Sequence, residues 1–326
     1  MTALVIRSAQ DAIAAVPYLL GFHPSRSLVV IGFESADGGT CAIRLDLPSL
    51  DAAGRVAALL DANGFRRSLL LGYGPDDDVR ASVAAVRAAL DAAGVPTAEA
   101  VRVADGRWWS LTCDDDCCPA AGVPYDTSAS VVAAEATLAG RVALADRSEL
   151  VRSVQPLDGP VRAAMREATA RAELRLLARP DPPDESSAFI LTLLAREHAG
   201  TPPTDDEAAW LGVLLTDPRN RDEAWIRIDE DAPATDIAFW RDIVRRVEDA
   251  YVPAPASLLA FAAYSAGDGG LANVALERAL NADPTYTMAK ILSEVINVGI
   301  PPSKLRLRMT PDQLATAYYN NPNKPT

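Results

Sequence analysis

The hydrophobic period of this chain changes once, at the segment Asp105–Asp126, DGRWWSLTCDDDCCPAAGVPYD, and that change restricts the fold more than any single residue does. Ahead of it, short apolar runs of strand length alternate with stretches of helical period, bounded by glycine and proline. Beyond it, nearly every apolar residue recurs at helical spacing. The pattern predicts an α/β sandwich with a mixed sheet over 1–150 and an all-α, partly tetratricopeptide-like region over 156–326.

Taken in order, Ala9–Leu20 reads as a helix, broken at Gly21-Phe22-His23-Pro24 because Pro24 pushes His23 out of the helical region. Ser27–Phe33 (SLVVIGF) is a near-continuous apolar run, as in a buried strand, and Thr40–Leu47 alternates as its hairpin partner. Ser49 or Asp51 is expected to cap a helix through Ala62. Arg67–Tyr73 is a further strand. Gly74-Pro75 turns it into an acidic helix start at Asp76-Asp77-Asp78, where carboxylates complement the positive end of the helix. Glu99–Val103 and Arg107–Thr112 read as a hairpin across Asp105-Gly106. In the second half the expected helices are Ser128–Arg147, Val161–Arg179, Ser186–His198, Thr204–Leu215, Arg219–Ile228 and Thr235–Ala250. A breaker, RPDPPD, lies at Arg179–Asp184. Over 254–298, Ala272, Leu276, Ala279-Leu280 and Asp283-Pro284 resemble one tetratricopeptide hairpin, whose small residues let paired helices approach. Beyond Asn320 the chain is expected to fray.

Two places invite chemistry. Gly72-Tyr73-Gly74-Pro75 closes a strand and opens a helix, the position where open α/β sheets bind ligands. No phosphate-loop or dinucleotide glycine pattern is present. Near that turn, His23, Arg26, Gly72, Gly74, Arg107, Trp108 and Trp109 are the candidate ligand-binding residues. Trp108 and Trp109 are adjacent on a strand and so point to opposite faces. The second place is the cysteine cluster. Cys113 and Cys117 have zinc-pair spacing, and Cys118, Cys41 or His23 could complete a tetrahedral site. A disulfide within the loop, or reduced cysteines filling a small pocket, fit the same residues. Asp114-Asp115-Asp116 reads as a solvated turn. His23 and His198 are the only histidines, and the sequence brings neither to a nucleophile.

Charge narrows the partners. The 326 residues carry a net charge of −13, with pI near 4.7 and no basic block. Nucleic acid, bound mainly through clustered Lys and Arg, is therefore not an expected partner. Anionic membrane surfaces are disfavoured in the same way. No apolar run approaches the roughly 20 residues of a membrane span, and no signal peptide is visible. Four cysteines do not make a secreted disulfide framework, so a cytoplasmic location is expected.

Three blocks, DAIAAVPYLLGFHPSRSLVVIGF, DGRWWSLTCDDDCCPAAGVPYD and GDGGLANVALERALNADPTY, resemble an actinobacterial family defined by a domain of unknown function, DUF4192. The resemblance runs through essentially the whole chain in the same order. It implies an intracellular protein of a bacterium or its phage, and singles out Gly21–Pro24 and Cys113/Cys117-Cys118-Pro119 as characteristic segments. It supplies no activity, cofactor or catalytic residue. The leading expectation is an interaction or scaffold protein that binds a protein partner, or itself, through the helical half. The alternatives are an enzyme or small-ligand sensor at the His23/Gly72–Gly74/Trp-loop region, and a cysteine metal protein.

Overall fold

In a computed structural model, which describes residues 6–35, 39–113, 118–127, 130–138, 140–178, 183–306 and 309–319, the chain divides into two compact units, Met1–Leu150 and Val151–Thr326. The N-terminal unit begins with α1 (Ala9–Leu20), capped by the Ser8 hydroxyl, which accepts from the Asp11 amide at 3.1 Å; Gly21 ends it at φ 81°. Then come β1 (Ser27–Phe33), β2 (Cys41–Asp46), α2 (Ala53–Ala62), β3 (Arg67–Tyr73), α3 (Asp76–Ala92), β4 (Thr97–Ala104), β5 (Arg107–Ser110), the two-residue β6 (Val123–Pro124), α4 (Val131–Leu138) and α5 (Arg147–Arg152).

The six strands form one mixed sheet in the order β2-β1-β3-β4-β5-β6. β3 and β4 run parallel, joined through α3, and the other neighbours are antiparallel. One face carries Leu28, Val30, Leu70 and Ala100 against Val56 and Leu60 of α2 and Val79, Val83, Val86 and Leu90 of α3. On the other face Val29 and Ile31 are fully buried, and α1 packs over β2 and β4 with α4 beside it. Burying apolar side chains on both sides explains why β1 reads as an unbroken apolar run. Gly72 is required by this packing, since a Cβ there would sit 2.3 Å from Val79 Cγ1.

The Val151–Thr326 unit is built of α6 (Pro160–Ala178), α7 (Pro183–His198), α8 (Asp205–Leu214), α9 (Pro218–Trp225), α10 (Ala234–Arg246), α11 (Pro253–Ser265), α12 (Gly269–Ala282), α13 (Thr287–Asn297) and α14 (Pro311–Tyr319). Thr204 and Glu207 form a reciprocal capping box at the start of α8. Asp217 accepts from the Arg219 amide to cap α9, with Pro218 in its first turn. Its core is Trp210, Phe239, Trp240, Phe261 and the alanine-rich contact of α11 with α12. Small side chains at Ala260, Ala263, Ala272, Ala275 and Ala279, all buried, allow that close approach.

Three expectations about elements change. Ser128–Arg147 is not one helix: Gly140, at φ 77°, ends α4. The Arg141 amide then bonds back to the Ala136 carbonyl, closing the helix end. Neither Ser49 nor Asp51 caps α2, whose N-cap is Ala52 without a side-chain bond; the Ser49 amide instead donates to the Ser82 hydroxyl at 3.0 Å. β6 and α14 were not anticipated. Residues 320–326, where fraying was expected, and most of the 179–184 breaker lie outside the described residues.

Candidate functional site

The carboxyl ends of the parallel pair β3 and β4 open into a cleft of about 420 Å³. Its walls come from four short pieces of chain: Pro24-Ser25-Arg26 leading into β1, Tyr73-Gly74-Pro75 leaving β3, Arg102-Val103-Ala104 at the end of β4, and Asp105 with Tyr125 across the β4–β5 turn. The volume falls in the usual range for small-molecule sites. A parallel pair places two strand ends and one helix start at the same edge, which is why such edges collect ligands.

Local sequence explains each wall. Asp105 and Gly106 have φ of 51° and 71°. They are the two central residues of a tight hairpin turn of the mirror-image kind, and that turn holds Asp105 at the rim. Gly74 sits at φ 154°, where a side chain would also press on Leu47 Cδ1 at 3.1 Å. Arg26 has φ 42°, an unusual conformation for a residue with a long side chain. Its carbonyl is held by the Leu47 amide at 3.0 Å, while its guanidinium is 68% exposed and reaches Asp78 at 3.4 Å.

Arg102 is the most constrained cation at the site. Its Nε donates to the Gly74 carbonyl at 3.1 Å and lies 3.6 Å from Asp76. The guanidinium lies over the Trp109 ring, 4.6 Å from its centre, in cation–π contact. Trp109 is fixed from behind: its indole N–H donates to the Ala120 carbonyl at 3.1 Å, and Gly122 lies so close that a Cβ would meet the ring at 2.5 Å. Arg107 holds the same loop through the Ala121 and Gly122 carbonyls, at 3.2 and 2.9 Å. Part of the Trp/Cys segment thus supports Arg102 rather than meeting a ligand itself.

Tyr73 differs from its neighbours. Its hydroxyl is buried and has no hydrogen-bond partner among the described residues. Burial pushes its pKa up, and the nearby Tyr125 adds to the effect; burial also raises Tyr125. A buried hydroxyl without a partner costs on the order of 1–3 kcal/mol.

Of the sequence-predicted ligand residues, Arg26 and Gly74 line the cleft. His23 is exposed just outside it, with its amide bonded to the Leu144 carbonyl at 2.9 Å. Gly72 is a packing glycine, Arg107 and Trp109 form the support, and Trp108 lies on the other face of β5, opposite Val103. The two tryptophans do point to opposite faces. Arg102 was not anticipated, and Tyr73, Asp105 and Tyr125 fall inside the Gly72–Gly74 and Asp105–Asp126 stretches without being singled out there. A charged residue inside the apolar run of β4, and an Asp-Gly turn just past that strand, were the available signals.

Among the described cysteines, Cys41 stands apart from Cys113 and Cys118. Cys41 lies opposite Gly32, at the far end of β1 from His23. Four strand intervals separate β2 from β5, after which Cys113 follows. That is roughly 19 Å at the usual strand spacing, against thiolate–metal distances of about 2.3 Å in a zinc site. Cys41 is therefore too far from Cys113 to share a zinc centre with it. Cys41 instead packs against the core beside α2 and α3, and burial pushes its thiol up to about 11. Among the described residues no group of three or more His, Cys, Asp or Glu could hold a metal ion. Cys117 and Asp114–Asp116 lie outside the described residues.

The sequence model of the family described as a domain of unknown function, DUF4192, matches residues 10–303. The chain belongs to the DUF4192 family. The match contains every lining residue of the cleft and the whole of the Trp/Cys segment. No curated protein and no solved structure matches this DUF4192 chain. Among its described residues, no helix is long and apolar enough to cross a membrane.

Proposed function

We propose that the N-terminal unit binds a small polar ligand in the cleft at the carboxyl ends of β3 and β4. The observation that carries this reading is a cleft sized for a small molecule, lined by Arg26, Asp105 and Tyr73, whose hydroxyl is buried and has no partner among the described residues. A ligand atom accepting from it would supply the missing bond. Arg26 and Asp105 then offer a donor and an acceptor at the rim, and Arg102, locked on Trp109, shapes the floor without having to be ordered on binding. The reading is recognition rather than turnover, because the lining has binding groups but no paired nucleophile and base among its described residues.

Thermal unfolding of the purified chain against a panel of small polar metabolites tests it. At least one compound is expected to raise the Tm of the wild type. Tyr73→Phe should weaken that compound roughly tenfold, and Arg26→Ala should weaken it further. A panel in which every shift survives in both variants places binding elsewhere and rejects the cleft.

A second reading, a protein partner bound by the helical unit, is favoured by one feature. The helices α9, α11 and α13 start at Pro218, Pro253 and Thr287. Successive starts are about 34 residues apart, the length of one tetratricopeptide repeat. The packing bears this interval out only in part: α11 pairs closely with α12 and is flanked by α10 and α13, whereas α9 packs on α7 and α14, so the interval supports one helix pair of this type extended by its neighbours. Stacked pairs present a continuous surface suited to a peptide or a second chain. Reproducible capture of one partner by the wild type, lost when exposed residues of α13 such as Ile291 are charged, is the expected result.

A further inference from the structure

The last described helix, α14, is attached to the Val151–Thr326 unit in an unusual way. It begins with its own reciprocal cap. The Thr310 amide donates to Gln313 Oε1 at 2.9 Å. The Gln313 amide donates back to the Thr310 hydroxyl at 3.3 Å. Among its described apolar side chains, Leu314 is the buried one. It also meets α9. The Tyr318 hydroxyl donates to Asp222 Oδ2 at 2.6 Å, and the Arg219 guanidinium lies over the Tyr318 ring, 5.8 Å from its centre. Asp222 is otherwise engaged by Arg221 at 2.6 Å, and Arg221 reaches the Tyr286 hydroxyl at 3.5 Å. Just ahead of α14, Arg306 pairs with Asp231.

We infer that the Arg219–Asp222 surface of α9 is a docking site for a short tyrosine-bearing helix, and that α14 is its resident, exchangeable occupant. A helix as short as α14 does not persist alone in water, so it stays helical only while docked. Among its described side chains Leu314 is buried and Tyr318 is bonded to α9, a smaller attachment than the apolar contact of α11 with α12. The receiving residues Arg219, Arg221, Asp222 and Tyr286 all lie inside the family match, whereas α14 lies after it. The acceptor surface is thus built by the family's own segment. In this chain α14 covers part of α9.

Hydrogen exchange on the full chain tests this. Amides of α14 are expected to exchange at least a hundredfold faster than those of α11 and α12, because they open without global unfolding. Tyr318→Phe should speed α14 a further tenfold or so and leave α11 and α12 unchanged. A fluorescein-labelled peptide of residues 309–319 should then bind the full-length Tyr318→Phe chain saturably. The same peptide carrying phenylalanine at position 318 should compete at least fivefold more weakly. Protection of α14 equal to that of α11 would make it a fixed part of the core and overturn the inference. So would a loosened chain that fails to take up the peptide.

Discussion

Two polar clusters of similar composition show how differently this chain uses charge. In the helical unit, Arg246 donates to the Pro203 carbonyl at 2.8 Å and to Asp242 at 3.0 Å, and also pairs with Asp205. Next to it, Glu207 is taken by Arg196, the Thr204 amide and the Thr204 hydroxyl. The knot joins α7, α8 and α10, and each of these groups is committed to another. Around the cleft, Arg26 is largely exposed and the Tyr73 hydroxyl has no partner among the described residues. A cluster that satisfies itself is architecture. One that leaves a group unsatisfied is not explained by architecture alone.

The comparison can be broken experimentally. Arg246→Met should cost the most, about 2–3 kcal/mol, because removing one member of an ion-paired knot strands a carbonyl and two carboxylates. These carboxylates are partly exposed, so the loss stays below that of a fully buried pair. A fall in the urea midpoint at unchanged slope is the expected readout. Gly72→Ala comes next, at about 2 kcal/mol of overpacking, from the overlap of its Cβ with Val79. Adding Val79→Ala should restore part of that loss, and a double variant no better than the single one would remove the packing argument.

Acid should act on the first cluster in a defined direction. The Arg196 guanidinium, together with Thr204, holds the Glu207 carboxyl below its ordinary value. A carboxylate with a depressed folded pKa contributes stability above its unfolded value, about 4.3, and loses it as pH falls through the folded value. Glu207→Gln should therefore flatten the loss of stability below about pH 4.3 and leave its shape near pH 7 unchanged. The smallest effect on stability is expected from Tyr73→Phe, between neutral and a gain of about 1 kcal/mol, since it deletes an unsatisfied buried hydroxyl. A clear loss of stability there would mean that the hydroxyl has a partner, and the contrast between the clusters would collapse.

Much of the frame was legible because apolar runs bounded by Gly and Pro leave few choices. β1, β3 and α1 have the ends read from Ser27–Phe33, Arg67–Tyr73 and Ala9–Leu20. The mixed sheet over a helical second half follows from the same period change. The failures have particular causes. Gly140 looks like a tolerated interior glycine until its left-handed φ ends α4. β6 has two residues, too few to show any period. The cleft was half visible: Gly74 and Arg26 could be picked out, but Tyr73 and Arg102 look like ordinary strand residues. Their roles depend on the β3–β4 register, which pairs Gly72 with Arg102 and Tyr73 with Val103, and on a hydroxyl left without a partner. Neither is written in residue spacing.

The seat of Arg102 on Trp109 has an optical consequence. A cation held over an indole ring alters the ring's electrostatic environment, and this one is also tied to the Gly74 carbonyl and Asp76 at the mouth of the cleft. Any ligand that draws the guanidinium toward itself would uncover the ring and change its emission. With Trp109 as the reporter and a Trp109→Phe chain as the blank, intrinsic fluorescence would register such a movement without a label.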